Sequence, residues 1–105
     1  METMEKTYAG INVDLNEQGY LTNFSQWNKE VGLEIAKEEG ITMTADHWKV
    51  IAYLQDQFKN EKALSIRSVG KSGVVSIKEF YQLFPKGPLK ISSRIAGIPK
   101  PVSCI

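Results

Sequence analysis

The sequence predicts a mainly α-helical fold: a small orthogonal helical bundle with a helix-turn-helix-like segment, an N-terminal β-hairpin and a flexible C-terminal arm. Three observations lead to this prediction. The chain has 105 residues, which suits one domain; apolar residues recur at helical spacing through its middle; and Pro99 and Pro101 interrupt any regular helix near its end. We therefore expect a single domain over residues 1–105, with the hairpin and helical body at 1–88 and the arm at 89–105.

The first predicted element is the β-hairpin. Residues 11–15 (INVDL) alternate apolar and polar side chains, which is typical of a half-buried strand. Residues 16–19 (NEQG) favour a turn, and Tyr20 and Leu21 begin the return strand. Residues 1–8 are largely polar, and we expect them to be frayed.

Two amphipathic helices are predicted in the middle of the chain. The first extends from residue 26 to residue 39, with Ser25 as its N-cap and Gly40 as its stop signal. The second begins after Thr44 and carries Asp46 in its first turn, where negative charge is favoured. The side chains predicted on its inner face are Trp48, Val50, Ile51, Ala52, Leu54, Gln55 and Phe58. We expect this helix to be central to the core, and its aromatic residues to be packing residues rather than a ligand site.

A helix-turn-helix-like segment follows. A short helix over 66–69 ends at a glycine-containing turn, residues 70–73. Ser76 and Glu79 then have the spacing of a capping box at the start of the next helix. Four side chains of that helix are expected to face inward: Ile77, Phe80, Tyr81 and Phe84. One more short helix is predicted around residues 89–95, within the arm.

Composition and charge exclude several classes of protein. With one cysteine and one histidine, the chain can form no internal disulfide and supply no ordinary four-ligand zinc site. It has no apolar run long enough to span a bilayer and no secretory signal pattern, so we expect a cytoplasmic protein without membrane association. Residues 1–58 carry four basic and ten acidic side chains, a balance of −6, whereas residues 59–105 carry nine and two, a balance of +7. The second half either attracts anionic partners or is an ordinary solvated surface with an uneven charge.

Cys104 has the clearest chemical capacity in the sequence. Its thiolate is a strong nucleophile, and an extended Pro-Lys-Pro arm would hold it outside the core, within reach of a partner. Arg94 and Lys100 would favour the thiolate if they folded close to it. The alternative is a stray cysteine on a frayed tail. His47 is expected to be a partly buried polar residue beside Trp48 rather than a base for the thiol.

Several blocks of the sequence resemble one known family. The ending at residues 95–105 (IAGIPKPVSCI) closely resembles the C-terminal arm of the DsrC/TusE family of sulfur-carrier proteins. The resemblance continues at residues 81–88 (YQLFPKGP), 38–41 (EEGI), 46–48 (DHW) and 18–21 (QGYL), in family order. The matching blocks therefore extend over nearly the whole chain.

The resemblance implies a role for Cys104, which in this family accepts sulfane sulfur as a persulfide. In the two-cysteine branch, DsrC, a second arm cysteine occupies the position of Ser93 here, and a serine cannot form an S–S bond. The single-cysteine pattern looks like the TusE branch, which relays sulfur from the TusBCD complex to the tRNA 2-thiouridylase MnmA. The alternative is a single-cysteine DsrC-like paralogue in dissimilatory sulfur metabolism that interacts with sulfite reductase.

The resemblance implies a sulfurtransferase-type carrier rather than a stand-alone enzyme. A carrier of this type is expected to require neither a metal nor an organic cofactor. The residues predicted to contact partners are Arg94, Pro99, Lys100 and Pro101. Two other classes stay open. A helix-turn-helix regulator would bind DNA directly, but its second helix offers only Lys78 and Gln82 as outward contacts, with Glu79 opposing them, so we do not expect it as the main role. A docking module without thiol chemistry would tolerate Cys104→Ser.

Overall fold

The structure, a computed structural model, describes residues 4–99. It contains two strands, one short 3-10 helix and five α-helices in that range, so the prediction of a mainly helical fold with an N-terminal hairpin is confirmed. The elements are β1 (Met4–Tyr8), β2 (Ile11–Leu15), the 3-10 helix (Phe24–Gln26), α1 (Lys29–Glu38), α2 (Ala45–Lys59), α3 (Ile66–Ser72), α4 (Ile77–Leu83) and α5 (Pro88–Ile95).

The hairpin forms from different residues than the sequence predicts. Strand β1 pairs antiparallel with β2, with Met4 opposite Leu15. The prediction that residues 4–8 are frayed was therefore wrong, and so was the return strand at Tyr20, where only an isolated bridge from Leu21 to Leu15 forms. The polar strand β1 gives no alternating signal because most of it is exposed.

The first long helix begins later than predicted. The chain at Trp27 is extended, with φ −81° and ψ 141°, so the 3-10 turn at Phe24–Gln26 cannot continue into α1. Asn28, not Ser25, is the N-cap, and its side chain accepts a hydrogen bond from the Val31 backbone N–H at 2.9 Å. The start of this helix was therefore wrongly predicted.

The two local start signals at Thr44 and Ser76 are confirmed. Helix α2 begins after Thr44, whose backbone N–H donates to His47 Nδ1 at 3.1 Å. In the second capping box, the Ser76 backbone N–H donates to a Glu79 carboxylate oxygen at 2.9 Å, and the Glu79 N–H donates back to the Ser76 hydroxyl at 3.1 Å. These backbone and side-chain hydrogen bonds from Ser76 lower the pKa of the exposed Glu79 carboxyl.

Of the four side chains predicted to face inward from α4, two are buried and two are exposed. Phe80 and Phe84 are fully buried and pack edge to face, with ring centroids 5.9 Å apart. Ile77 and Tyr81, also predicted to face inward, are 45% and 43% exposed. Ile77 lies at the edge of the buried face, beside Gly70 of α3, where the two helices leave an open cleft.

Helix α5 belongs to the core and not to an arm. Leu89, Ile95 and Ile98 are almost completely buried, and the helix packs against α1, α2 and α4. The boundary predicted at residue 88 therefore does not follow the packing, because the buried body continues to Ile98. Within residues 4–99, no helix combines the length and the apolar character needed to cross a membrane.

Candidate functional site

The structure describes the chain that precedes Cys104 as far as Pro99. Cys104, Lys100 and Pro101 lie outside the described residues, so the predictions on them stay predictions. Pro99 is exposed and directly follows Ile98, which is 1% exposed. The last buried turn before Pro99, residues 95–98 (the exit turn), is therefore the part of the candidate site that can be described.

Trp27 holds the exit turn from one side. Its indole Nε1–H donates to the Ile95 carbonyl oxygen at 2.7 Å. Gly97 lies against the same ring with φ +73°, and a Cβ at Gly97 would lie 2.4 Å from Trp27 Cδ1. Only glycine meets both the left-handed backbone conformation and this close approach.

Gln55 holds the exit turn from α2. Its side-chain amide donates to the Ala96 carbonyl oxygen at 2.8 Å. The backbone closes the helix end as well, since the Ile98 N–H donates to the Ser93 carbonyl oxygen at 3.2 Å. The carbonyls at a helix end have no partner within the helix, so these side chains supply what the helix cannot. The exit turn is thereby held in place by Trp27, which precedes α1, and by Gln55 of α2.

An open groove lies beside the exit turn. It has a volume of about 320 Å³ and is lined by Trp27, Lys29, Trp48, Ile51, Ala52 and Gln55. The ammonium group of Lys29 lies 5.0 Å from the centroid of the Trp48 ring, within the range of a cation–π contact. Trp27 and Trp48 pack against the core as predicted but are only partly buried.

Arg94, predicted as a partner contact, is occupied within the fold. Its guanidinium group pairs with Glu38 at 2.8 Å and with Glu39 at 3.1 Å, and it also donates to the Gly19 carbonyl oxygen at 3.0 Å and to the Tyr8 hydroxyl at 3.2 Å. The side chain is 15% exposed. Arg94 therefore fixes α5 to the hairpin and to the end of α1, a role that sequence reasoning missed.

The carboxylate of Glu38 is the centre of this cluster. Burial opposes its ionisation, but hydrogen bonds from Lys6, Arg94 and Tyr8 outweigh that effect and lower its pKa from 4.5 to about 2. The charged form is thus the one that the folded state prefers.

Ser93, which the sequence resemblance places at the position of the second arm cysteine of the two-cysteine branch, is fully buried. Among the described residues, its hydroxyl is the one buried side-chain polar atom without a hydrogen-bond partner. The neighbouring Ser92 is equally buried, but its hydroxyl donates to the Pro88 carbonyl oxygen. The site of Ser93 therefore gives its hydroxyl no polar interaction.

His47 is used by the fold. It is 7% exposed, its Nδ1 accepts from the Thr44 N–H, and its Nε2 lies 2.9 Å from the Leu83 carbonyl oxygen. The ring stands edge-on to Phe84 with centroids 5.0 Å apart. Both ring nitrogens have partners in the folded body, which confirms the expected structural role. Residues 4–99 contain no group of three or more His, Cys, Asp or Glu side chains arranged to hold a metal ion.

The fold and the exit turn define a class of protein: a small helical body with an N-terminal hairpin, whose last described turn is anchored by Trp27 and Gln55. The sequence profile described as "DsrC like protein" matches residues 7–105. This chain belongs to the DsrC-like family, and the resemblance found in the sequence is confirmed.

Relatives carry two kinds of name. The chain is 44% identical over 107 residues to the protein named sulfurtransferase TusE of Buchnera aphidicola, with 93% of each chain covered. It is 39% identical over 103 residues to the dissimilatory-type sulfite reductase subunit gamma of Nitratidesulfovibrio vulgaris, covering 96% of this chain and 98% of that protein.

Solved structures show the same fold. The solution structure of Allochromatium vinosum DsrC superimposes with a TM-score of 0.83 at 32% identity, covering 99% of this chain and all of that one. The oxidised gamma subunit of dissimilatory sulfite reductase (DsrC) from Archaeoglobus fulgidus gives a TM-score of 0.82 at 34% identity, covering 97% of this chain and all of that one.

Replacing Gly97 with alanine tests the contact with Trp27. Gly40 is a matched control, because it has the same φ of +73° and a Cβ added there would meet nothing within 4 Å. We expect Gly40→Ala to cost about 1 kcal/mol of unfolding free energy for the left-handed backbone, and Gly97→Ala to cost about 1–3 kcal/mol more because of overpacking. Urea unfolding followed by tryptophan fluorescence measures both. Equal losses would contradict the contact.

The Glu38 cluster predicts a pH dependence of stability. Since the pKa of Glu38 is lowered in the folded state, its contribution is complete above its unfolded value near 4.5 and is lost as pH falls towards about 2. We expect Glu38→Gln to be less stable than wild type at neutral pH by about 1–2 kcal/mol, after allowance for solvent screening. The difference should shrink as pH falls from 5 to 2, measured by urea unfolding at each pH. A difference that stays constant over this range would contradict the assignment.

The paired serines of α5 give a third test. Ser93→Ala removes a buried hydroxyl without a partner, so we expect unchanged stability or a gain of up to about 1 kcal/mol. Ser92→Ala removes a hydroxyl that donates to a carbonyl, and we expect a loss of about 1 kcal/mol. Thermal unfolding of the two variants side by side measures this contrast. A larger loss for Ser93→Ala than for Ser92→Ala would show that the Ser93 hydroxyl has a partner after all.

Proposed function

We propose that this protein is a cytoplasmic sulfur carrier that accepts sulfane sulfur as a persulfide on Cys104 and passes it to an acceptor protein. The observation that carries the proposal is the lone thiol of Cys104, which follows a Pro-Lys-Pro sequence just after the anchored exit turn. Membership of the DsrC-like family and the relatives named sulfurtransferase TusE support it.

The proposed chemistry balances without a cofactor. The Cys104 thiolate attacks the outer sulfur of a donor persulfide, the donor S–S bond breaks, and the donor thiolate leaves while Cys104–S–SH forms. An acceptor thiolate then attacks that outer sulfur and releases the Cys104 thiolate. Each step exchanges one persulfide for another, so no net oxidation or reduction occurs and no metal is needed.

The residues before Cys104 have distinct proposed roles. Arg94 has its charge matched by Glu38 and Glu39, so we assign it the role of anchoring α5 to the rest of the body rather than that of a direct partner contact. We assign to Lys100 the role of guiding the arm into a partner and of stabilising the anionic persulfide on Cys104. Pro99 and Pro101 stiffen the segment and reduce the entropy lost when it enters a partner.

The proposed pathway is a TusE-like relay for tRNA 2-thiouridine synthesis, with a TusBCD-like donor and an MnmA-like acceptor. Ser93 supports this branch, because a chain with one thiol can hold a sulfur atom but cannot close an internal disulfide. The second candidate is a single-cysteine DsrC-like partner of dissimilatory sulfite reductase, which is favoured by the 39% identity to a gamma subunit over 103 residues.

Intact-mass spectrometry after incubation with glutathione persulfide tests the carrier chemistry. Wild type should gain the mass of one sulfur atom, and Cys104→Ser should gain none. A matched control moves the thiol by one position, in the double variant Ser103→Cys with Cys104→Ser. It should take up sulfur from the small donor but deliver at least about ten-fold less to the protein acceptor, since transfer requires near-attack geometry.

The branch is tested by delivery. Persulfidated wild type should support 2-thiouridine formation on tRNA by an MnmA-like enzyme, detected by nucleoside mass spectrometry. Delivery only to a dissimilatory sulfite reductase would favour the second candidate. A wild-type protein that gains no sulfur from either glutathione persulfide or a TusBCD-like donor would overturn the carrier proposal itself.

A further inference from the structure

A second surface, formed by α3 and α4, is distinct from the exit turn. An open cleft of about 410 Å³ lies between these helices and is lined by Arg67, Gly70, Lys71, Ser76 and Ile77. The helices approach closely because Gly70 has no side chain, and a Cβ there would lie 2.5 Å from Ile77 Cγ1. The residues that hold the exit turn do not line this cleft, so the two surfaces can be altered separately.

The centre of this surface is apolar and exposed. Ile77 lines the cleft at 45% exposure, and Tyr81, one turn further along α4, is 43% exposed. Both belong to the small set of large apolar side chains that residues 4–99 leave in contact with solvent. Burying such side chains against a partner is favourable, and the folded chain by itself leaves them exposed to solvent.

The rim of the cleft is cationic. Arg67 and Lys71 lie one turn apart on α3, and Lys78 follows Ile77 on α4. All three are exposed, and none forms an ion pair within residues 4–99. The one acidic residue of the two helices, Glu79, has its carboxylate engaged by the Ser76 N–H.

We propose that the α3–α4 cleft docks an acidic segment of a protein partner that presents one large apolar side chain flanked by carboxylates. The apolar side chain packs against Ile77 and Tyr81, and the carboxylates meet Arg67 and Lys71. An apolar centre with a charged rim is the usual anatomy of a protein–protein interface. The complementary charge also speeds encounter with an acidic partner.

The apolar centre favours a protein partner over a nucleic acid. A helix that reads a duplex needs polar side chains at its exposed positions, because base edges and phosphates are recognised through hydrogen bonds. Helix α4 instead exposes Ile77 and Tyr81 and carries the carboxylate of Glu79 at its start. The cleft also lies outside the thiol-bearing segment, so this proposal does not depend on the carrier chemistry of Cys104.

The test uses the full-length, isotopically labelled protein and two synthetic peptides. One peptide has a tryptophan flanked on both sides by glutamates, and its matched control has glutamines in their place. Two-dimensional NMR titration should show that the acidic peptide shifts the amide signals of Gly70, Lys71, Ile77 and Tyr81, whereas the glutamine peptide binds at least about ten-fold more weakly.

Charge-reversal variants complete the test. The double variant Arg67→Glu with Lys71→Glu should weaken binding of the acidic peptide at least about ten-fold. The matched control is Lys29→Glu with Lys49→Glu, which makes the same change in net charge on α1 and α2. This control should weaken binding less than about two-fold. Equal effects of the two pairs, shifts scattered over the surface, or equal affinity for the glutamine peptide would overturn the proposal. Tighter binding of a random-sequence DNA duplex at the same cleft would overturn it in favour of a nucleic-acid site.

Discussion

The last turn of α5 is the constraint on which the rest of the candidate site depends. Its buried carbonyl groups at Ile95 and Ala96 need donors, and the fold supplies the indole N–H of Trp27 and the side-chain amide of Gln55. An unpaired buried carbonyl would cost about 1–3 kcal/mol. The two hydrogen bonds therefore do more than close a helix, because they connect α5 to α2 and to the segment before α1. Gly97 completes this arrangement by lying against the Trp27 ring.

A charged cluster at the same helix turn joins the two halves of the chain. The acidic half and the basic half meet where Arg94 of α5 pairs with Glu38 and Glu39 at the end of α1. Lys6 joins the cluster through Glu38. The three cations of α3 and α4 have no such partners within the described residues, so they leave the α3–α4 cleft with a positive rim.

Two separate surfaces give a carrier a simple way to combine reactivity with selectivity. Under the proposed function, the segment that carries Cys104 enters its partners, and because it is short it offers little area for recognition. The docking proposed at the α3–α4 cleft would add a second contact, and two linked weak contacts bind more tightly than either alone. Ser93 is buried without a polar partner, and Cys104 is the chain's one thiol.

By itself, the sequence determined the features that depend on neighbouring residues. The starts of α2 and α4 follow from capping interactions over three residues, the membership of the DsrC-like family follows from blocks of matching residues, and the lone cysteine is read directly from the composition.

Only the tertiary structure decided the features that depend on residues far apart in the sequence. Strand β1 has no alternating pattern and is defined by its partner β2, and the proline- and glycine-flanked α5 was predicted as part of an arm although its side chains complete the core. Trp27 and Ile95 lie 68 positions apart in the chain, and no local pattern records a contact over that separation. Burial and hydrogen bonding of this kind depend on how all the elements pack together. For that reason the sequence did not predict the contacts of the exit turn, the ion pairs of Arg94 or the exposure of Ile77 and Tyr81 on α4.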